Sequence, residues 1–149
     1  MAGKGPTPLF TNIYIYAVNK AASRVLGKSA VVLTRSVSED LWSCLVSRGL
    51  IPPNPSFEDL RKLFVEKLGL AEDLSFEESG EVVAIVLRGL TVSEFLEAAT
   101  RERFEPVVCP LASILVRACE NMSGGKLVLQ RFEIVDAGTV RAVCTRVKA

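Results

Sequence analysis

Between Phe10 and Val25 the apolar positions Phe10, Tyr14, Ala17, Val18, Ala21 and Val25 recur at helical spacing, while Asn19, Lys20 and Ser23 fall elsewhere. The spacing predicts a first helix over "LFTNIYIYAVNKAASRVLGK", stopped by Gly27, with that row as its buried face. Ile13, Ile15 and Tyr16 lie outside the row, so the helix carries more apolar surface than one buried face requires. A second copy of the chain is expected to cover these three residues. The run "NIYIY" alone also fits a strand.

A second helical pattern runs from Ser29 to Arg48 through Val32, Leu33, Val37, Leu41, Cys44 and Leu45, with Trp42 among them. "IPPNP" breaks the chain. "SFEDLRKLFVEKLGL" then carries the strongest local signal, with Ser56 as N-cap, Asp59 in the capping-box position and Gly69 at the C-terminal end. The period then changes. "LSFEES", a turn at Gly80 and "EVVAIVLRG" predict a hairpin whose second strand is apolar on both faces and therefore central. A helix over about Ser93–Arg103, a further helix after Pro110, and a second hairpin from "KLVLQRFEIV" through "DAG" to "TVRAVCTRV" complete the order. Hairpins separated by a helical crossover argue for an α+β fold, an antiparallel sheet of about four strands with the N-terminal helices packed on it. Residues 1–8, with two glycines and two prolines, read as a flexible arm before a single domain over 9–149.

At 149 residues and 49% hydrophobic content, the chain is long enough for one domain with a core of its own. The net charge of +1 comes from acidic and basic residues mixed along the chain, which leaves no basic stripe for nucleic acid. No apolar stretch reaches the roughly 18–20 residues of a membrane span, and "MAGKGPTPLF" lacks the apolar run of a signal peptide. A cytoplasmic protein is expected. The cysteines at 44, 109, 119 and 144 are too widely and irregularly spaced for a small secreted disulfide framework, so reduced thiols are expected.

The chain contains no histidine, which removes the usual base of serine and cysteine nucleophiles. "SGGK" at 123–126 follows a helix, leads into a strand and lacks phosphate-loop spacing; it reads as a helix stop. Paired carboxylates in "SEDL", "FEDL" and "FEES" read as caps and solvated faces. An enzyme is not expected. With Pro110 as the first helical residue, Leu111, Ile114, Leu115, Ala118, Cys119 and Met122 form a buried row that makes Cys119 a core thiol. Cys109 falls at the cap, where the helix dipole favours a thiolate if water reaches it. Ten residues of helix separate the two thiols by about 15 Å, so they cannot share a metal, and no metal or cofactor is expected. Cys144 alternates in phase with Val140 and Ala142 toward the core, and Cys44 is expected in the core or a pocket wall. Tyr14, Tyr16, Trp42, Phe95 and Phe104 could line a cavity or simply pack the core.

The segment "CPLASILVRACENMSGGKLVLQRFEIVDAGTVRAVC" has a cysteine-led apolar helix, a small-residue stop, a strand ending in Glu133, a glycine turn and a cysteine-bearing final strand. In this it resembles the ligand-binding domain named after 4-vinyl reductase, whose wider superfamily includes the TRAPP vesicle-tethering subunits and the haem nitric-oxide-binding domains. The chain departs from the first branch at Val135, where a cysteine is common, and at Gly138-Thr139, where Gly-Asp is common. Without histidine it also lacks the usual proximal haem ligand. The resemblance implies a TRAPP-subunit-like helix-covered sheet, a homodimer through the N-terminal helices, and a hydrophobic cavity for a small apolar or acyl ligand beside a cysteine. The expected protein is thus a non-catalytic dimeric module with Cys109 at the pocket mouth and Trp42, Cys44 and Phe104 as walls. The alternative is an interaction scaffold whose helix-one residues bind a partner protein.

Overall fold

The computed structural model describes residues 7–103, 109–136 and 138–147. The first helix, α1 (Pro8–Leu26), starts where the arm was expected to end: Thr7 Oγ1 accepts the Phe10 N–H and Pro8 takes the first helical position. A 3-10 turn over Gly27–Ser29 joins it to α2 (Ala30–Ser47). Then come α3 (Phe57–Arg61), β1 (Asp73–Ser79), β2 (Val82–Arg88), α4 (Ser93–Glu102), α5 (Pro110–Glu120), β3 (Leu127–Asp136) and β4 (Thr139–Arg146). The sheet is fully antiparallel in the order β1-β2-β4-β3, and the fold is α+β as expected.

The capping box at α3 forms as its sequence predicts. Ser56 Oγ accepts the Asp59 N–H at 3.1 Å, and an Asp59 carboxylate oxygen accepts the Ser56 N–H at 2.9 Å. These bonds satisfy two amides that a helix start leaves without partners. Beyond Arg61 the helix widens into π-helical turns over Lys62–Lys67 instead of running on as one α-helix. Leu60, Leu63 and Phe64 remain fully buried throughout.

Strand β2 is central and buried on both faces. Val83, Ile85 and Leu87 join Val140, Ala142 and Cys144 of β4 beneath α5, and together they anchor the main core. Ala84 and Val86 point the other way and are covered differently. Glu77 stands beside Ala84 on β1, Arg141 beside Val86 on β4, and their 2.9 Å ion pair crosses over β2. Their aliphatic stems shield the strand, so its second face is buried without a second layer.

The first helix is inverted relative to the expected face. Phe10, Tyr14 and Val25 are 57%, 61% and 74% exposed, whereas Asn12, Asn19 and Ala22 are buried and Ile15 and Tyr16 pack against the core. Asn12 faces inward because its whole amide is used there. Its Nδ2 donates to the carbonyls of Pro8 and Thr91, both at 2.7 Å, and its Oδ1 accepts the Phe95 N–H at 2.8 Å. A polar group with three internal partners escapes the cost of burial that the apolar row was expected to avoid. Of the three residues expected at a dimer contact, Ile13 alone is exposed, at 55%. Among the described residues no helix is long and apolar enough to cross a membrane.

Candidate functional site

The clearest cleft lies between α2 and α5 and measures about 300 Å³. From α2 come Val31, Thr34, Arg35 and Ser38; from the other side come Cys109, Ala112, Ser113 and Val116, with Arg117 and Glu120 at the far end. The α5 residues recur every three or four positions, so the cleft follows the helix for roughly 16 Å. Helices α2 and α5 are fastened at its floor by Ser38, whose buried hydroxyl donates to the Ser113 carbonyl at 2.7 Å. The Arg117 guanidinium donates to Glu39 at 2.7 Å and, more weakly, to Glu120 at 3.4 Å. Its Nε is the one buried side-chain polar atom among the described residues that has no partner. A buried orphan donor beside a cleft marks a place where water or a ligand acceptor is needed.

Cys109 is the N-cap residue of α5, as its position before Pro110 predicted, but its side chain makes no capping hydrogen bond. The residue is 6% exposed. Burial raises its pKa, against the opposing pull of the Ala112 and Leu111 amides. Desolvation therefore outweighs the helix terminus, and the group is a neutral thiol at neutral pH.

The other expected site residues do not gather around it. Trp42 lines a more open groove of about 440 Å³ with Val46, Pro53 and Asn121, on the far side of Arg117. Cys44 is exposed, which corrects the expectation of a core position, and it does not line the α2–α5 cleft. The apolar row assigned to α2 is wider than the face that packs: Leu45 is buried, but Val32 is 68% exposed. Phe104 lies outside the described residues. Cys119 and Cys144 are fully buried, as their rows predicted. Spacing gave no sign that the two sulfurs meet, yet they are 3.4 Å apart. Arg35, Ser38 and Arg117 are cleft residues that the periodicity does not single out; the one local signal is the i, i+3, i+4, i+7 spacing of Val31, Thr34, Arg35 and Ser38 on α2.

On the other side of the molecule α1 and α4 are tied at their surface. Glu102 accepts from Tyr16 Oη and Lys20 Nζ, each at 2.9 Å. The lysine and tyrosine hydrogen bonds lower the Glu102 pKa, and the same bonds raise those of Lys20 and Tyr16. Among the described residues no three cysteine, aspartate or glutamate side chains come together as metal ligands would.

Fold and site together define a helix-backed antiparallel sheet with an apolar cleft between two of its helices. No protein-family model matches the chain. It is 35% identical over 129 residues to the uncharacterized protein MJ0758 of Methanocaldococcus jannaschii, in an alignment that covers 87% of this chain and 81% of that protein. The chain belongs to the family of that protein.

Proposed function

We propose that the protein is a non-catalytic, cytoplasmic, homodimeric module that holds a small hydrophobic or acyl ligand in the α2–α5 cleft. The cleft carries this reading: its walls are mainly apolar, and at about 300 Å³ it stands at the small end of the range of ligand sites. Arg35 stands at the rim without an ion pair among the described residues, and the orphan Nε of Arg117 lies at the polar end. A ligand with an apolar body and an acceptor-bearing end matches both. The neutral Cys109 thiol is a poor nucleophile, which favours reversible occupancy over covalent acylation and argues against a catalytic role. The resemblance to the 4-vinyl reductase and TRAPP-type domains points the same way.

The dimer is drawn from the inverted first helix. Leu9, Phe10, Ile13 and Tyr14, all more than half exposed, present on the order of 400 Å² of apolar surface. Val25, Val31 and Val32 extend exposed apolar surface to the junction of α1 and α2. The same face supports the second reading, a scaffold that docks a different protein. Native mass spectrometry of freshly purified protein, followed by denaturing spectra of the same sample, separates the two. A dimer carrying an adduct lost on denaturation supports the ligand-binding module; an acyl mass retained on denaturation and absent from Cys109→Ser supports the covalent form. A clean dimer keeps the dimer and overturns the ligand, and a clean monomer overturns both and leaves the α1 face to the scaffold.

A further inference from the structure

Cys119 and Cys144 make a contact that the cleft does not use. Cys119 sits in the inward row of α5, and Cys144 stands on β4 opposite Val83 and Leu129. Both are fully buried, and their sulfurs are 3.4 Å apart. Cys44 lies on the surface and Cys109 at the opposite end of α5, so neither competes for this contact. We propose that Cys119 and Cys144 form a redox-active dithiol that hydrogen peroxide closes into an intramolecular disulfide, fastening α5 to β4.

The sulfurs need to approach by about 1.4 Å to reach the ~2.05 Å of a disulfide, a final movement that contracts the core. Complete burial excludes bulky oxidants such as glutathione disulfide, and a small neutral one reaches the pair only through local opening of the core. The hydrogen bond between the thiols separates their acidities: it lowers the Cys144 pKa, while it and burial raise that of Cys119. Cys144 takes the first attack on this difference, and exchanging the two roles gives the same disulfide. Its thiolate attacks one peroxide oxygen; an S–O bond forms, the O–O bond breaks, and the departing hydroxide takes up the proton that Cys144 released. The Cys119 sulfur then attacks the sulfenic sulfur, forming S–S as S–O breaks, and its proton leaves with the hydroxide as a second water. Two thiols lose two electrons and two protons, and one peroxide becomes two waters.

The test uses the full chain exposed to hydrogen peroxide, quenched, and alkylated with iodoacetamide in denaturant. The expected product carries two alkyl groups instead of four and is two hydrogens lighter than the reduced chain with the same alkylation. Trypsin should release residues 118–126 joined to 142–146, and a phosphine reductant should separate them. The oxidised chain should melt about 10 °C higher, since the bridge closes a loop of 25 residues. Cys144→Ser should lose both the joined peptide and the melting shift, but the wild-type peptide map decides even if that variant does not fold. The inference fails if a peroxide dose that oxidises Cys44 leaves Cys119 and Cys144 fully alkylated. It fails equally if the joined peptide forms only after the chain has been unfolded.

Discussion

The side-chain carbonyl of Asn12 on α1 accepts the backbone N–H of Phe95 on α4 at 2.8 Å. Phe95 is the third residue of α4, whose own N-cap, Val92, has no side chain able to cap it. The cap thus comes from another helix, and the same amide also binds the Thr91 carbonyl beside it. Asn12→Ala should cost about 2 kcal/mol, because it leaves a buried N–H and a carbonyl without their partner. Phe10→Ala, two positions away on the exposed face, should stay within about 0.5 kcal/mol in the monomer. Denaturant midpoints of the two variants check the contrast.

The capping box makes α3 sensitive to acid. The Ser56 backbone N–H, the largest cause, lowers the Asp59 pKa below its ordinary 3.8. A lowered folded-state pKa stabilises the fold above the unfolded value, and this stability is lost as pH falls through the folded value. Asp59→Asn should therefore cost about 1 kcal/mol at pH 7 and progressively less as pH drops beneath about 3.8. Urea unfolding of both proteins at pH 7 and pH 3 measures the difference. An equal gap at both values would contradict the assignment.

The four thiols should differ in rate toward iodoacetamide under native conditions. Cys44 is exposed and should react first; Cys109, buried and with a raised pKa, should lag at least about tenfold. Peptide mapping over a time course gives the order directly. Fast labelling of Cys109 would mean that the cleft opens around it.

If the exposed face of α1 is the dimer surface, a charge placed there should separate the chains. Phe10→Glu combined with Ile13→Glu should halve the mass seen by light scattering from twice 16.2 kDa to one chain. The far-ultraviolet dichroism should stay the same, since neither residue belongs to the core. An unchanged mass places the interface elsewhere.

Features that depend on neighbouring residues alone were legible in the sequence. The Ser56–Asp59 box, the Pro110 start of α5 and its row from Leu111 to Cys119 all form as their spacing predicts. The continuous apolar run of β2 correctly marked the central strand. What failed was the choice between two apolar sides of α1. Hydrophobic periodicity counts Asn12 as an outward residue, and only the arrival of Thr91 and Phe95 from a distant segment makes it an inward one. The cleft has the same origin. Arg35 and Cys109 become neighbours of one space only when α2 docks on α5, and the division of Trp42 from Cys109 by Arg117 follows from that docking. The π-helical turns after Arg61 left no local signal, since Lys62–Lys67 is an ordinary helix-forming run.

The order of the strands also governs how quickly the chain can fold. Each hairpin closes locally, but β2 must pair with β4 across roughly fifty intervening residues that include α4, α5 and β3. Until that step β2 is an unprotected edge, and its apolar run from Val82 to Leu87 is open to pairing with another chain. Joining the two hairpins is thus both the slow entropic step of folding and the step that removes the risk of aggregation.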